Sequence, residues 1–156
     1  MILIKDSLVI DGTGNPGERK DILIKDNKIS AIGSFPNHNA DEIIDGLGLI
    51  SAPGFIDIDT DSDHYLTLFT DRSQHDFLLQ GVTTIMGGFS GSSLTPLIRG
   101  SLESVRKWAD INQVNVDWNT VGEFLKILER IKLGVNFGTL VGHSTIRRGL
   151  IGEENR

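Results

Sequence analysis

The residues best suited to chemistry are aspartates at alternate positions behind an apolar run. They share one parity within residues 52–64: Asp57, Asp59, Asp61 and Asp63. Alternate side chains of an extended chain point the same way, so this spacing predicts a row of carboxylates on one face. Like charges this close repel one another unless a cation, a proton or a hydrogen-bond donor lies among them. We therefore expect a functional site where this strand emerges into a loop.

Length and composition exclude several classes of protein. The chain has 156 residues, the size of one domain or slightly more. Its net charge of −6 argues against a nucleic-acid partner, because such partners are bound through Lys and Arg. The absence of cysteine excludes disulfides and a thiolate nucleophile. With neither a signal-peptide pattern nor ~20 consecutive apolar residues, we expect a cytoplasmic protein without a membrane partner.

The region 1–52 has the pattern of a small β-sheet, because no helical spacing appears in it. Two short apolar runs, 2–4 and 8–10, are separated by polar residues, and a further strand is expected over 42–45. The apolar segments on either side of Asp26-Asn27 predict a hairpin with a two-residue turn.

The region 53–156 alternates strand and helix patterns, which is typical of a parallel sheet with crossover helices. The expected elements are a strand at 55–58, a helix at 71–80, a strand at 82–86, helices capped by Ser101 and by Thr120 with Glu123, and a strand at 135–141.

Six segments of the chain have distinctive sequences: 9–16, 28–33, 53–57 (Pro-Gly-Phe-Ile-Asp), 81–85 (Gly-Val-Thr-Thr-Ile), 91–96 (Gly-Ser-Ser-Leu-Thr-Pro) and 140–147 (Leu-Val-Gly-His-Ser-Thr-Ile-Arg). Together they resemble the amidohydrolase superfamily, and the last two resemble its D-aminoacylase (N-acyl-D-amino-acid deacylase) branch in particular. All six occur in the family's order along nearly the whole chain.

The resemblance implies an α/β fold. A small amino-terminal β-sandwich portion (1–52) would precede about the first three β/α units of a (β/α)8 (TIM) metal-dependent hydrolase barrel (53–156). Because such a barrel needs ~250 residues, we expect this chain to be the truncated amino-terminal third of an enzyme. An open parallel sheet leaves edges unpaired, so self-association of the partial barrel is also expected.

The resemblance also implies a divalent metal, with Asp59, Asp61 and Ser90 in the places of its ligands. The family normally has two histidines at the first two places, and its D-aminoacylase branch has a cysteine at the third. Its metal, zinc, polarises the scissile carbonyl and lowers the pKa of bound water to about 7. Oxygen ligands at all three places would favour a harder ion such as magnesium, manganese or calcium.

Further polar residues at this rim are candidates for substrate binding: Asp63, His64, His143 and Arg147. His143 is expected to end an apolar strand, and Arg147 could bind a substrate carboxylate through paired hydrogen bonds. Each has a structural alternative. The aspartates could cap backbone amides, the histidines could be ordinary hydrogen-bonded residues, and the arginine could lie in solvent.

Other motifs fit less well. An EF-hand starting at Asp59 would need glycine at its sixth position and glutamate at its twelfth, where this chain has His64 and Thr70. The glycine-rich stretch 87–93 lacks the lysine of a P-loop, and no Gly-x-Ser-x-Gly elbow surrounds Ser90.

Two functions follow as alternatives. One is hydrolysis of the C–N bond of a small-molecule amide, an N-acyl-D-amino acid or a related compound. The other is a catalytically inactive pseudo-enzyme or a binding domain, which the loss of the histidines and cysteine favours. Because no complete catalytic set is present, we expect this segment alone to be inactive.

Overall fold

The computed structural model describes residues 1–98, 102 and 108–152. Its contacts divide the chain into two compact units, with the boundary between Pro53 and Gly54. Within the described residues, no helix is both long enough and apolar enough to cross a membrane.

The first unit is a mixed sheet of five strands, and they pair in the order β3-β2-β1-β4, with β5 also paired to β1. The strands are β1 (Ile2–Val9), β2 (Glu18–Lys25), β3 (Lys28–Gly33), β4 (Glu42–Asp45) and β5 (Ile50–Ser51). β1 to β3 pair antiparallel, whereas β4 and β5 run parallel to β1. Leu3, Ile22 and Leu23 are its buried apolar residues.

The polar residues between the apolar runs 2–4 and 8–10 form a bulge inside β1. The register against β2 shifts between Ile4 and Ser7, and Asp6 between them adopts a left-handed backbone with φ of 55°. The N–H of Asp6 donates to the carboxylate of Asp21 at 3.0 Å. One strand therefore extends from Ile2 to Val9, and a side chain from β2 satisfies the backbone at the irregularity.

The predicted hairpin is confirmed. β2 and β3 are joined by Asp26 and Asn27, whose φ angles are 50° and 60°. Two consecutive left-handed residues form the turn type that matches the twist of antiparallel strands. Asp and Asn tolerate this conformation better than most residues.

The second unit contains the predicted parallel sheet, in the order β6-β7-β8. Its strands are β6 (Phe55–Asp57), β7 (Val82–Gly87) and β8 (Asn136–Thr139). Its helices are α1 (Thr67–Thr70), α2 (His75–Leu78), α3 (Val121–Ile131) and α4 (His143–Ile151), with a 3-10 turn at Ile111–Gln113.

The helix predicted over 71–80 is shorter in the structure, where only α2 (His75–Leu78) lies within this range and α1 ends before it, at Thr70. Gln74, immediately before α2, adopts a left-handed backbone, so the helix does not begin earlier. The buried Gln74 side-chain amide donates to the carbonyls of Thr67 at 3.0 Å and Asp71 at 2.5 Å. These two hydrogen bonds stabilise the turn between α1 and α2. The helix predicted to be capped by Ser101 lies outside the described residues.

The core of the second unit is aromatic. Phe124 on α3 and Trp118 just before it are buried, and their ring centroids are 5.2 Å apart. Trp118 also stacks on Phe69 at 5.5 Å, and its indole N–H donates to the carbonyl of Leu94 at 2.7 Å. The predicted capping box of Thr120 and Glu123 is confirmed at the start of α3.

Candidate functional site

The segment 57–63, which carries the four aspartates and is called the acidic segment below, crosses the carboxyl end of the parallel sheet. β6 ends at Asp57, and the chain then turns so that Thr60 reaches the end of β7. The backbone N–H and the hydroxyl of Thr60 both donate to the carbonyl of Met86, at 3.1 and 2.9 Å. Asp59 and Asp61 therefore flank a residue that is fixed at this edge.

The four aspartates do not share one face. The extended chain ends at Asp57, and turns follow in which the N–H of Tyr65 donates to the carbonyl of Asp61 at 2.9 Å. As a result Asp59 and Asp61 are exposed, whereas Asp63 is only 1% exposed. The prediction from parity is wrong beyond Asp57, because it assumed that the strand continues.

Asp61 and His64 form a carboxylate–imidazole pair. Oδ1 of Asp61 lies 2.9 Å from Nδ1 of His64, so we assign the ring proton to Nδ1. The ring is 4% exposed and stacks on Trp108, with centroids 6.2 Å apart and planes 18° apart. Its other nitrogen, Nε2, is buried and makes no hydrogen bond within the described structure.

Asp63 points into the protein. Its carboxylate accepts the N–H of Gly88 at 2.7 Å and the N–H of His64 at 2.9 Å. Burial raises the pKa of Asp63, and the two backbone hydrogen bonds and the neighbouring His64 only partly offset this.

The remaining candidates lie on the loop after β7 and on α4. Ser90 is exposed in that loop, with φ of 56°. His143 is exposed as the first residue of α4, and Arg147 is half-buried one turn later. The prediction that His143 ends a strand is wrong, because β8 already ends at Thr139.

The loop and the start of α4 are joined by hydrogen bonds. The N–H of Ser144 donates to the carbonyl of Gly91 at 2.8 Å, and the N–H of Gly142 donates to Oγ of Ser93 at 2.9 Å. The structure therefore brings the Ser90 loop and the His143 end of the helix to one place.

The candidate metal ligands do not by themselves form a metal centre. Among the described residues, no group of three or more His, Cys, Asp or Glu side chains is arranged to hold a metal ion. The carboxylate of Asp61 contacts His64, and that of Asp63 is occupied by backbone N–H groups.

Asp59 and Asp61 instead line an open cleft of about 320 Å³. Its lining residues are Asp57, Asp59, Thr60, Asp61, Ser62, Tyr65, Thr67, Asp76 and Phe77. Sequence reasoning missed Asp76 and Tyr65 in this lining, and no motif distinguished them. Trp108 likewise had no predicted role at the site, although its ring stacks on that of His64.

Comparison with curated proteins found relatives along almost the whole chain, although no family model matches it. D-aminoacylase from Alcaligenes xylosoxydans xylosoxydans is 32% identical over 155 residues, which covers 99% of this chain and 31% of that protein. The N-acyl-D-aspartate deacylase of the same organism is 31% identical over 154 residues, covering 99% of this chain and 30% of the relative.

Solved structures agree. A crystal structure of D-aminoacylase superimposes with a TM-score of 0.83 at 29% identity, covering 99% of this chain and 32% of the other. The N-acyl-D-glutamate deacylase from Bordetella bronchiseptica gives 0.80 at 30% identity, covering 94% and 30% respectively. This chain is a homologue of the D-aminoacylases.

The homology extends to the N-acyl-D-amino-acid deacylases of the amidohydrolase superfamily. The predicted fold class is confirmed, because the α/β structure matches part of the D-aminoacylase structures. The Bordetella enzyme is complexed with zinc and a phosphonate inhibitor, and another D-aminoacylase structure concerns a binuclear metal centre. Divalent metals are thus a property of these relatives. The chain spans about 30% of the length of the curated relatives it matches.

Proposed function

We propose that this chain forms part of an amidohydrolase that cleaves the amide bond of N-acyl-D-amino acids. The observation that carries this is similarity along the chain to relatives that act on such compounds. They include D-aminoacylase, N-acyl-D-aspartate deacylase and N-acyl-D-glutamate deacylase, the last being 30% identical over 148 residues. The parallel strands β6 to β8 would be the first strands of a (β/α)8 barrel, with 1–52 as the sandwich portion and 53–156 as the barrel portion.

We propose that Asp59, Asp61 and Ser90 are the oxygen donors this chain offers to a divalent cation. Thr60 fixes the two aspartates at the carboxyl edge of the sheet, where barrel enzymes build their sites. Because all three side chains present oxygen, a hard ion such as magnesium or manganese suits them better than zinc. Further donors are needed, since the described residues complete no centre.

On the substrate side, His143 and Arg147 are the stronger candidates. Both lie in the first turns of α4, next to the Ser90 loop, and the guanidinium of Arg147 would complement a substrate carboxylate. His64 remains a candidate through its buried Nε2. Direct substrate contact by Asp63 conflicts with its burial and its two backbone partners.

The second candidate function is a pseudo-enzyme or binding domain, favoured by the presence of Asp59, Asp61 and Ser90 at places where the family has two histidines and a cysteine. For either function we propose that the chain by itself does not turn over substrate. Purified chain, supplied in turn with zinc, manganese and magnesium, is expected to release no D-glutamate or D-aspartate from the N-acetyl compounds. Metal-dependent release, measured by chromatography, would contradict this.

A chimera separates the two functions. This chain would replace the matching 31% of the Alcaligenes D-aminoacylase, in one version with Asp59, Asp61 and Ser90 kept and in a matched version with Asp59→His, Asp61→His and Ser90→Cys. If the chain is part of an enzyme, we expect the first version, supplied with magnesium or manganese, to hydrolyse N-acetyl-D-amino acids and not their L-enantiomers. Activity only in the second version would support the pseudo-enzyme.

We also propose that the protein is cytoplasmic and that its substrate is a small molecule.

We further propose that the open sheet of the second unit self-associates. β6 is an edge strand, and its Phe55 and Ile56 are 66% and 64% exposed. Light scattering should show assemblies that Ile56→Lys disrupts and that Leu79→Lys, at a helix end, does not. A monomer at all concentrations would contradict this.

A further inference from the structure

The carboxylate of Asp63 connects two segments at the end of the parallel sheet. One of its oxygens accepts the N–H of Gly88, in the loop after β7, and the other accepts the N–H of its neighbour His64. A buried carboxylate is costly unless donors surround it, and here both donors are rigid backbone groups. Asp63 thus joins the acidic segment to the loop after β7, 25 residues away in sequence.

The glycines at the end of β7 allow this close approach. A Cβ at Gly87 would lie 2.9 Å from both Cγ and Oδ2 of Asp63. At Gly88, whose φ is 81°, a Cβ would collide with the backbone carbonyl of Leu140 after β8. Gly87 therefore makes room for the carboxylate, and Gly88 makes room for the neighbouring chain.

The loop after β7 is also hydrogen-bonded at both of its ends to the chain that follows β8. The N–H of Leu140 donates to the carbonyl of Gly87 at 2.9 Å, and the carbonyl of Gly91 accepts the N–H of Ser144 at 2.8 Å. Ser90 lies between these anchored ends, exposed and with a left-handed backbone.

We propose that Asp63 is a positioning residue, whose buried carboxylate fixes the loop from Gly88 to Gly91 and so places Ser90 at the carboxyl edge of the sheet. It acts through the backbone of Gly88 and does not touch substrate. The role of Ser90 as a ligand rests on the proposed function, whereas the anchoring of its loop can be measured without any activity.

Amide hydrogen exchange of the purified chain, followed by NMR, tests this. In Asp63→Ala we expect the Gly88 amide to exchange at least tenfold faster and the Ser90 amide resonance to move. Amides of Ile22 and Leu23 in β2 should keep their protection, as should those of α3. Asp63→Asn keeps one carbonyl oxygen and should restore part of the protection, whereas the exposed matched control Asp59→Asn should behave as wild type.

Gly87→Ala provides a second route that leaves Asp63 in place. The added methyl group should displace the carboxylate and deprotect Gly88 as Asp63→Ala does, and it should add little when Asp63 is already alanine. If Asp63→Ala fails to fold, the Asn and Gly87→Ala variants decide. Unchanged protection of Gly88 would overturn the proposal, as would an equal loss throughout the second unit, which indicates general destabilisation. If the chimera is inactive while Asp63→Ala still speeds the exchange of the Gly88 amide, only the proposed function is rejected.

Discussion

Each unit contains one buried aspartate that accepts two backbone N–H groups, yet the pKa values of the two residues move in opposite directions. In the first unit, Asp21 accepts from Asp6 at 3.0 Å and from Phe35 at 2.7 Å, and these bonds lower its pKa. In the second unit, burial outweighs the equivalent bonds to Asp63 and raises its pKa. Two backbone hydrogen bonds therefore outweigh the effect of burial at Asp21, whereas at Asp63 they only partly offset it.

The surroundings explain the difference. The first unit has few buried apolar residues, and its bulge is stabilised by polar groups. The second unit has an apolar cluster that includes Trp118, Phe124 and Leu128. We therefore expect apolar truncation to affect the second unit most and loss of a carboxylate to matter most in the first.

Phe124→Ala should have the largest effect on stability. The ring is fully buried between other aromatic side chains, so its loss should lower the free energy of unfolding of the second unit by about 3–5 kcal/mol. Urea denaturation followed by tryptophan fluorescence measures this. Leu125→Ala, its partly exposed neighbour on α3, should cost clearly less. Similar losses for both would contradict an aromatic core.

Asp21→Asn should lower the free energy of unfolding of the first unit by about 2 kcal/mol at pH 7, because one backbone donor loses its acceptor. The pKa of Asp21 is lower in the folded state than in the unfolded state. Its contribution is therefore complete above the unfolded pKa of about 3.9 and disappears as pH falls through the folded value.

Circular dichroism across pH 2–7 tests that sign. Wild type should lose more stability on acidification than Asp21→Asn, so the two curves should converge at low pH. The exposed Asp26→Asn is a control on the same strand pair. Parallel curves would show that the ionisation of Asp21 does not stabilise the bulge.

Thr120→Ala should cost about 1 kcal/mol, because its hydroxyl accepts the N–H of Glu123 at the start of α3. Chemical denaturation of the second unit measures the loss. Glu129→Ala, on the exposed side of the same helix, should be close to neutral. A larger effect at Glu129 would show that the cap is not the stabilising feature.

Asp61→Asn should change stability least, by no more than about 1 kcal/mol, because the carboxylate is 59% exposed. NMR of the His64 ring should still report a change in its hydrogen bonding. Asp59→Asn, which leaves His64 untouched, is the matched control. A loss well above that of Thr120→Ala would mean that the pair with His64 holds the segment together.

The sequence alone determined the features that depend on neighbouring residues. The Asp26-Asn27 turn, the Thr120–Glu123 cap and the order of β6 to β8 follow from local backbone preferences and from the strand–helix alternation. The resemblance to the D-aminoacylases was readable in the same way, since it rests on short motifs in a fixed order.

The contacts of each polar residue depend on the tertiary structure. The carboxylate of Asp21 accepts the N–H of Asp6, 15 residues away in sequence, and that of Asp63 accepts the N–H of Gly88, 25 residues away. The ring of His64 stacks on Trp108. The alternation of a strand predicts that Asp63 lies on the same face as Asp59 and Asp61. In the structure the chain turns after Asp57, so Asp63 is buried and the other two are exposed. The physical reason is that burial and hydrogen bonding of a side chain depend on segments distant in sequence, which a local pattern does not specify.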